Sequence, residues 1–480
     1  MHTTFSQLPA RRFLRQGFGA VGVRALLVAL SFAAPAAAQA PAVAPGGASR
    51  PNVVLIITDD VGYGDIGSYG APDIKTPNID SLARNGTRLT DFYAAPNCSP
   101  TRAMLISGRY QQRYRIENPL GAARTAQEQG LPATGRTLPQ LLKNNGYRTG
   151  LVGKWHLGYK PEFSPNAHGF DYFFGFKSGL IDYYQHTDSV GEHDLFENAQ
   201  PTHVDGYSTD LFTERSVKFI EQNAGQPFFL EVAFNAAHWP FQVPDHPSVA
   251  AGNGRFVQPQ EDPTNTRKDY AAILERADQG VGKILATLEK LGLARNTLVI
   301  YTQDNGGEWL SRNAPLFHRK STVWEGGIRV PAIFRWPGRI PAGKSSPQVG
   351  IMMDLTATIL AVTNSPVPAE ARLEGINLLP MLQEGGQRTE RTLFWRITGQ
   401  ARRQRAVRQG DWKLLLDAGN PMLYNLANDV GERNDLASQR TDIVRRLFPL
   451  ITKWEEDVDA EAKALPGLAP PGASSGSPQR

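Results

Sequence analysis

The chain has 480 residues, 41% of them hydrophobic and 20% charged, with a single cysteine. This is the composition of an ordinary globular protein, which excludes a mostly disordered chain, a collagen and a polytopic membrane protein; one cysteine excludes an intrachain disulfide framework and any multi-cysteine zinc or iron–sulfur site. The formal charge of +5 comes largely from the first forty residues, which hold Arg11, Arg12, Arg15 and Arg24 and no acid. No basic stripe interleaved with aromatics appears, so no nucleic-acid partner is expected.

Residues 1–40 read as an export signal. A basic stretch precedes the apolar run Ala25–Ala33 and then small residues, with Ala36-Ala37-Ala38 or Ala38-Gln39-Ala40 as cleavage site. The run is short for a bilayer span, so no stable membrane insertion is expected. Arg11-Arg12 before Phe13-Leu14 fits a twin-arginine signal as well as an ordinary secretory one. Either route makes the protein periplasmic or secreted. Residues 41–50 read as a linker.

Val53–Thr58 (VVLIIT) is a β-branched run without alternation, the pattern of a strand buried on both faces of a parallel sheet. Asp59 and Asp60 follow it directly. Thr76-Pro77 opens a helix through Ala83, closed by Asn85-Gly86. Pro100 opens another through Ile106, which puts Cys98 at its electropositive end. Thr137–Asn145 predicts a helix, and Leu151–Gly153 a short strand. Residues 210–223 are helical in pattern and Phe228–Phe234 is an apolar strand. Residues 267–291 form a long amphipathic helix. Thr297–Thr302 (TLVIYT) is a second buried strand, followed by Asp304 and Asn305. Val330–Phe334 and a helix over Asp354–Val362 complete an alternation that argues for an α/β fold, a large mostly parallel sheet with helices on both faces. From about residue 390 short alternating strands (406–408, 412–416, 422–426) and a helix over 441–458 predict a small antiparallel sheet with one helix. Residues 464–480 are rich in Pro, Gly and Ser and read as a disordered tail.

Ligands in open parallel sheets bind beyond the carboxyl ends of the strands. Asp59, Asp60, Asp304 and Asn305 all fall there and offer hard oxygen ligands suited to calcium or magnesium. Taken singly, each pair reads equally as a solvated loop start. A lone cysteine is ordinarily a small buried filler, but in an exported protein a free thiol is a liability, which favours a chemical role or a modification.

Cys98-Ser99-Pro100-Thr101-Arg102 resembles the C-x-P-x-R signature of the type I sulfatases. Further segments similar to that family follow in order: Asp59-Asp60, Gly153–Gly158 (GKWHLG), Ala237–Pro240 (AHWP), Asp304–Gly307 (DNGG), Lys320–Arg329 (KSTVWEGGIR) and Gly431–Ala437 (GERNDLA). The resemblance covers about residues 51–460. It implies an alkaline-phosphatase-like fold, with a catalytic domain over 51–388 and a smaller α+β domain over 389–463. It also implies a sulfuric ester hydrolase whose cysteine is oxidised to formylglycine by a maturation enzyme. On that resemblance Asp59, Asp60, Asp304 and Asn305 hold calcium, or magnesium in its place, together with residue 98. Arg102, Lys154 and Lys320 surround the sulfate and the aldehyde hydrate. One hydroxyl of the hydrate attacks sulfur, activated by the metal and Asp304; His238, with Lys320, protonates the leaving alcohol. His156 then deprotonates the second hydroxyl, which expels sulfate. Lys154, His238, Lys320 and Ser178 are the expected substrate contacts.

The regions 110–132, 178–208 and 308–318, with Tyr183, Tyr184 and Arg312, are expected as loops over the strand ends, where binding residues collect. His186, His193, His203 and His318 receive no role. Ser107–Arg113 (SGRYQQR) resembles arylsulfatases and N-acetylgalactosamine-6-sulfatases and leans toward a sulfated carbohydrate over a simple aryl sulfate. Two other readings stay open: a phosphoester or phosphonate hydrolase of the same superfamily, and a non-catalytic binder of sulfated glycans. Lys154 and Lys320, standing where a phosphomonoesterase would need a second ion, favour sulfate.

Overall fold

The computed structural model describes residues 50–121, 128–245, 264–398 and 403–465. The expected signal and nearly all of the expected linker and tail lie outside them. The elements in the first part of the chain are β1 (Asn52–Thr58), α1 (Pro77–Arg84), β2 (Thr87–Tyr93), α2 (Cys98–Ser107), α3 (Leu138–Asn144), β3 (Arg148–Lys154), β4 (Tyr172–Phe176), β5 (Phe196–Glu197), β6 (Gln200–Pro201), α4 (Ser208–Gln222) and β7 (Phe228–Ala233). Then come α5 (Arg267–Lys290), β8 (Thr297–Gln303), α6 (Glu325–Ile328), β9 (Arg329–Arg335), β10 (Lys344–Ser346), β11 (Gly350–Ile351), α7 (Met352–Val362) and α8 (Leu379–Leu382). Prolines occupy the first turns of α1 and α3, where a missing N–H costs nothing. Thr266 caps α5 by accepting from the Asp269 amide.

Among the described residues these strands form one sheet in the order β10-β2-β9-β8-β1-β7-β3-β4-β5-β6, with β11 also pairing β2. The run β8-β1-β7-β3-β4 is parallel; β9 lies antiparallel to both β8 and β2. Successive residues of β1 face opposite sides. Val53, Leu55 and Ile57 join one core with Met104, Leu142 and Ile359 from α2, α3 and α7. Val54 and Ile56 join another with Ile79, Phe212 and Ile273 from α1, α4 and α5. Apolar side chains on both faces explain why this strand shows no alternation in sequence.

The C-terminal part forms a meander of β12 (Thr392–Ile397), β13 (Gln404–Gln409), β14 (Trp412–Asp417) and β15 (Asn420–Asn425), each antiparallel to the next. Trp395, Ala406 and Leu415 face the first core. Val407, Leu414 and Leu423 face Ile443, Leu447 and Ile451 of α9 (Thr441–Ala464). The helix thus extends past the expected end at 458. Glu461 holds the added turn by pairing with Arg109 at 2.6 Å and Arg113 at 3.0 Å, just after α2. Lys413 of β14, fully buried, lies 2.9 Å from Glu325 of α6 and 2.8 Å from Glu432. Removing one partner from such a group leaves a buried charge uncompensated, at a cost of about 3–5 kcal/mol, so this triad fixes the meander against the segment that carries Lys320.

Candidate active site

Because β8, β1, β7 and β3 are parallel, their carboxyl ends share one edge of the sheet. Asp59 and Asp60 follow β1, Asp304 and Asn305 follow β8, Lys154 ends β3, and His238 lies a few residues beyond β7. Gly153 makes the close packing at this edge feasible. Its φ is +113°, and a Cβ there would sit 1.9 Å from the Ala233 carbonyl oxygen of β7. Asp60 and His156, neither of them glycine, hold left-handed backbone at φ 56°, a conformation that concentrates at functional sites.

Cys98 is the first residue of α2 and only 2% exposed. Thr101 fixes the approach to it: its hydroxyl accepts from the Ala95 amide at 2.9 Å and donates to the Ala95 carbonyl at 3.1 Å. The Cys98 thiol donates to Asp59 Oδ1 at 3.7 Å. Lys154 Nζ donates to Asp59 Oδ2. Lys320 Nζ lies 2.7 Å from Asp60 Oδ2, and His238 Nε2 lies 3.4 Å from the same oxygen. Asn305 Nδ2 donates to Asp60 Oδ1 at 2.7 Å. Arg102 reaches inward: it bonds Asp304 Oδ2 at 2.9 Å and the Lys154 carbonyl at 3.1 Å. The Asp60 amide donates to Asp304 Oδ1 at 3.3 Å.

Ligand atoms of Asp59, Asp60, Cys98 and His238 all lie within 4.8 Å of one another, a buried group that could hold a metal ion. It draws in His238, expected instead at the leaving group. It does not include Asp304, whose Oδ2 is engaged by Arg102. Two observations fit a cation here. Asn305 Oδ1 is buried without a hydrogen-bond partner, a donor for a hard ion. Burial and neighbouring Asp304 push the Asp59 carboxyl up to about 8, despite Lys154 and Arg102. A divalent ion would reverse that shift. Burial also opposes ionisation of Asp60, but Lys320 and His238 outweigh it and hold Asp60 well below the usual carboxylate range. Arg102 and Lys154 likewise overcome burial at Asp304 and keep it low. Three inner acids thus face three basic side chains, Arg102, Lys154 and Lys320, and a bound divalent ion would turn the site positive, the sign that a sulfate ester requires.

Burial pushes the Cys98 thiol well up, so an unmodified thiol here is neutral and a poor nucleophile. Burial and Lys154 hold the His156 imidazole well below its ordinary range. Its Nε2 pairs with the Leu120 carbonyl at 2.9 Å, which assigns the ring proton to Nε2. Nδ1 is buried without a partner and carries the lone pair. Burial lowers His238 to about 3 against the pull of Asp60, and its Nδ1 pairs with the Trp239 carbonyl at 2.6 Å.

A cavity of about 330 Å³ opens over Cys98, walled by His156, His238 and Lys320 and by Leu120, Leu180, Trp239, Glu308 and Trp309. Ser178 stands behind this wall. Its hydroxyl donates to the Leu180 carbonyl and its amide to Asp194 at 2.8 Å, and the half-buried Gly179 lines the cavity in its place. Tyr183, expected in a binding loop, is fully buried; its hydroxyl donates to the carbonyls of Asn235 and His238 and steadies the His238 loop. His186 and His193 pair with the carbonyls of Gly206 and Thr202, and His193 stacks on His203. Glu308, 3.7 Å from Lys320, and Trp309 were not singled out by name in sequence, though both fall in the 308–318 region expected as a binding loop.

The sulfatase family model matches residues 51–365, and a model of the N-sulphoglucosamine sulphohydrolase C-terminal region matches 315–456. N-acetylgalactosamine-6-sulfatase of Canis lupus familiaris is 33% identical over 94% of this chain and 95% of that protein. The chain belongs to the sulfatase family. Arylsulfatase J of Mus musculus is 30% identical over 87% of this chain and 78% of that protein. The crystal structure of Ps i-CgsB in complex with k-i-k-neocarrahexaose matches with a TM-score of 0.77 at 31% identity, covering 85% of this chain and 93% of that one. This sulfatase is a sulfuric ester hydrolase of carbohydrate or aryl sulfates, with the fold of the alkaline phosphatase superfamily. Among the described residues, no helix is long and apolar enough to cross a membrane.

Proposed function

We propose that residue 98 works as formylglycine, made from Cys98 by a maturation enzyme, beside a calcium ion for which magnesium is the alternative. The observation that carries this reading is the buried Cys98 at the start of α2, its thiol turned to Asp59 in a charged cradle with an orphaned amide oxygen. Asp59, Asp60, Asp304 and Asn305 would hold the ion with residue 98; calcium's preference for oxygen ranks them above the His238 nitrogen. When bound, the ion would polarise a sulfate oxygen and stabilise charge in the transition state. The hydrated aldehyde would supply one hydroxyl to attack sulfur and a second whose deprotonation releases sulfate.

The chain's own residues do the rest. Lys154 and Lys320 lend positive charge to the bound ester. Arg102, held by Asp304 and the Lys154 carbonyl, keeps both groups in register. Lys320 and His238 converge on one oxygen of Asp60 and line the cavity, which suits them to the departing oxygen. The bare Nδ1 of His156 suits it to take a proton. Leu120, Leu180 and Trp239 limit water. Ser178, outside the cavity lining and bonded to the Leu180 carbonyl, supports the wall, and a part in binding the ester would need its hydroxyl to turn.

We take 51–388 as the catalytic domain and 389–463 as the smaller one, and the leader as sending the enzyme to the periplasm or the outside, by the twin-arginine or the ordinary secretory route. A sulfated carbohydrate is the substrate we favour, because the cavity wall combines charged groups with the flat faces of Trp239 and Trp309, and because relatives are named for or complexed with such sugars. The test is turnover of 4-nitrophenyl sulfate and 4-nitrophenyl phosphate by protein co-produced with a formylglycine-generating enzyme. Sulfate should exceed phosphate by at least about tenfold in kcat/KM. Chelation should lower sulfate turnover by about 100-fold, with calcium restoring it. A tenfold preference for phosphate would establish the phosphoester reading, and binding of sulfated glycans without turnover would establish the non-catalytic one.

A further inference from the structure

Beside the Cys98 cavity lies a second one, of about 460 Å³, walled by Ser311, Asn313, Phe317, His318 and Arg319 and sharing Trp309 with the first. Among the described residues, no acid lines it. Two of its aromatic walls stack on guanidinium groups: Arg319, itself part of the lining, lies 4.3 Å from the Trp309 ring centre, and exposed Arg433, outside the lining, lies 4.4 Å from that of Phe317. A guanidinium stacked on a ring keeps its in-plane N–H groups for a planar anion such as carboxylate, or for a sulfate. Among the described residues neither arginine forms an ion pair within 4.0 Å, although Arg319 attracts the nearby Glu308 carboxylate. The walls are set in advance. Phe317 packs edge-on against Trp324 at 5.0 Å. Asn313 ties its loop to both the amide and the carbonyl of Gly307, each at 2.9 Å. Trp309 and His318 hold positive φ, at 37° and 69°, strain that packing must support.

We propose that this pocket is a second subsite, which binds an anionic group, sulfate or carboxylate, on the sugar next to the one being desulfated. The inference rests on the sulfatase reading above and adds that the preferred substrate is a chain of charged sugars, with Trp309 as the platform between the two units. A lone sulfated sugar or aryl sulfate then fills only the Cys98 cavity.

The test compares 4-nitrophenyl sulfate and the sulfated monosaccharides with disaccharides of iota-carrageenan, whose neighbouring anion is sulfate, and of chondroitin 6-sulfate, whose neighbouring anion is carboxylate. Wild type and the variants Arg433→Gln and Arg319→Gln are assayed; neither residue lines the Cys98 cavity. In at least one series, wild type should favour the disaccharide over the matching sulfated monosaccharide by about tenfold or more in kcat/KM, through KM. Each variant should cut that advantage to under about threefold, with aryl sulfate turnover within about twofold of wild type. The series that shows the effect identifies the anion. Aryl sulfate cleavage with no length preference in either series, or a preference that survives both substitutions, overturns the second subsite alone. Failure of wild type to cleave any sulfate overturns the sulfatase chemistry on which it rests.

Discussion

Cys98→Ala is expected to abolish sulfate ester turnover while the protein still folds. The side chain contributes one weak contact, 3.7 Å from Asp59, and removing its sulfur from a site already bordering a cavity costs little packing, on the order of 1 kcal/mol. Asp59 and Asp60 are tied to lysines, and His156 and His238 each spend one ring nitrogen on a backbone carbonyl. Removing a covalent nucleophile costs on the order of 10⁴- to 10⁶-fold in kcat. Steady-state kinetics, paired with a thermal melt to verify folding, measures this. Turnover within tenfold of wild type would show that residue 98 is not the nucleophile.

Asp304→Ala is expected to be nearly as damaging, by a different physical route. Asp304 accepts from Arg102 at 2.9 Å and from the Asp60 amide at 3.3 Å. Alanine would leave a buried guanidinium without its main partner, a loss of about 3–5 kcal/mol if nothing relaxes. It would also remove one of the three carboxylates that attract the divalent ion. Activity should fall by at least about 100-fold, and added calcium should raise the melting temperature less than it does in wild type. Asp304→Asn, which keeps the shape but not the charge, should retain more stability than Asp304→Ala and still bind calcium weakly. A normal calcium response in both variants would place the ion elsewhere.

Some of this site was legible in sequence because its signals are local. An apolar strand followed at once by acids predicts Asp59-Asp60 and Asp304-Asn305 at strand ends, and both pairs sit there. Pro100 marked the start of α2 and with it the position of Cys98. Other features depend on contacts distant in the chain. Arg102 lies one helical turn beyond Cys98 yet points to Asp304, some two hundred residues away. Ser178 looked like a ligand for the ester, but its hydroxyl closes a local turn on Leu180. Tyr183 looked like a surface aromatic and instead braces the His238 loop.

Six described strands of the large sheet also escaped notice, and two of them, β2 and β4, did so for opposite reasons. In β2 (TRLTDFY) Arg88, Thr90 and Asp91 interrupt the apolar run, which hides a strand. In β4 (YFFGF) a glycine weakens the strand signal, yet Gly175 is needed because a Cβ there would lie 1.8 Å from the Gly153 carbonyl oxygen on β3. The same crowding beside Lys154 that hides the strand is what brings the cationic end of β3 to the site.

The most direct measurement is mass spectrometry of the proteolytic peptide that contains residue 98, from active enzyme purified without reducing or alkylating agents. The peptide should have the mass of an aldehyde in place of the thiol, should react with a hydrazide, and should resist iodoacetamide. A fully active preparation in which that peptide is an intact, alkylatable cysteine would contradict the account.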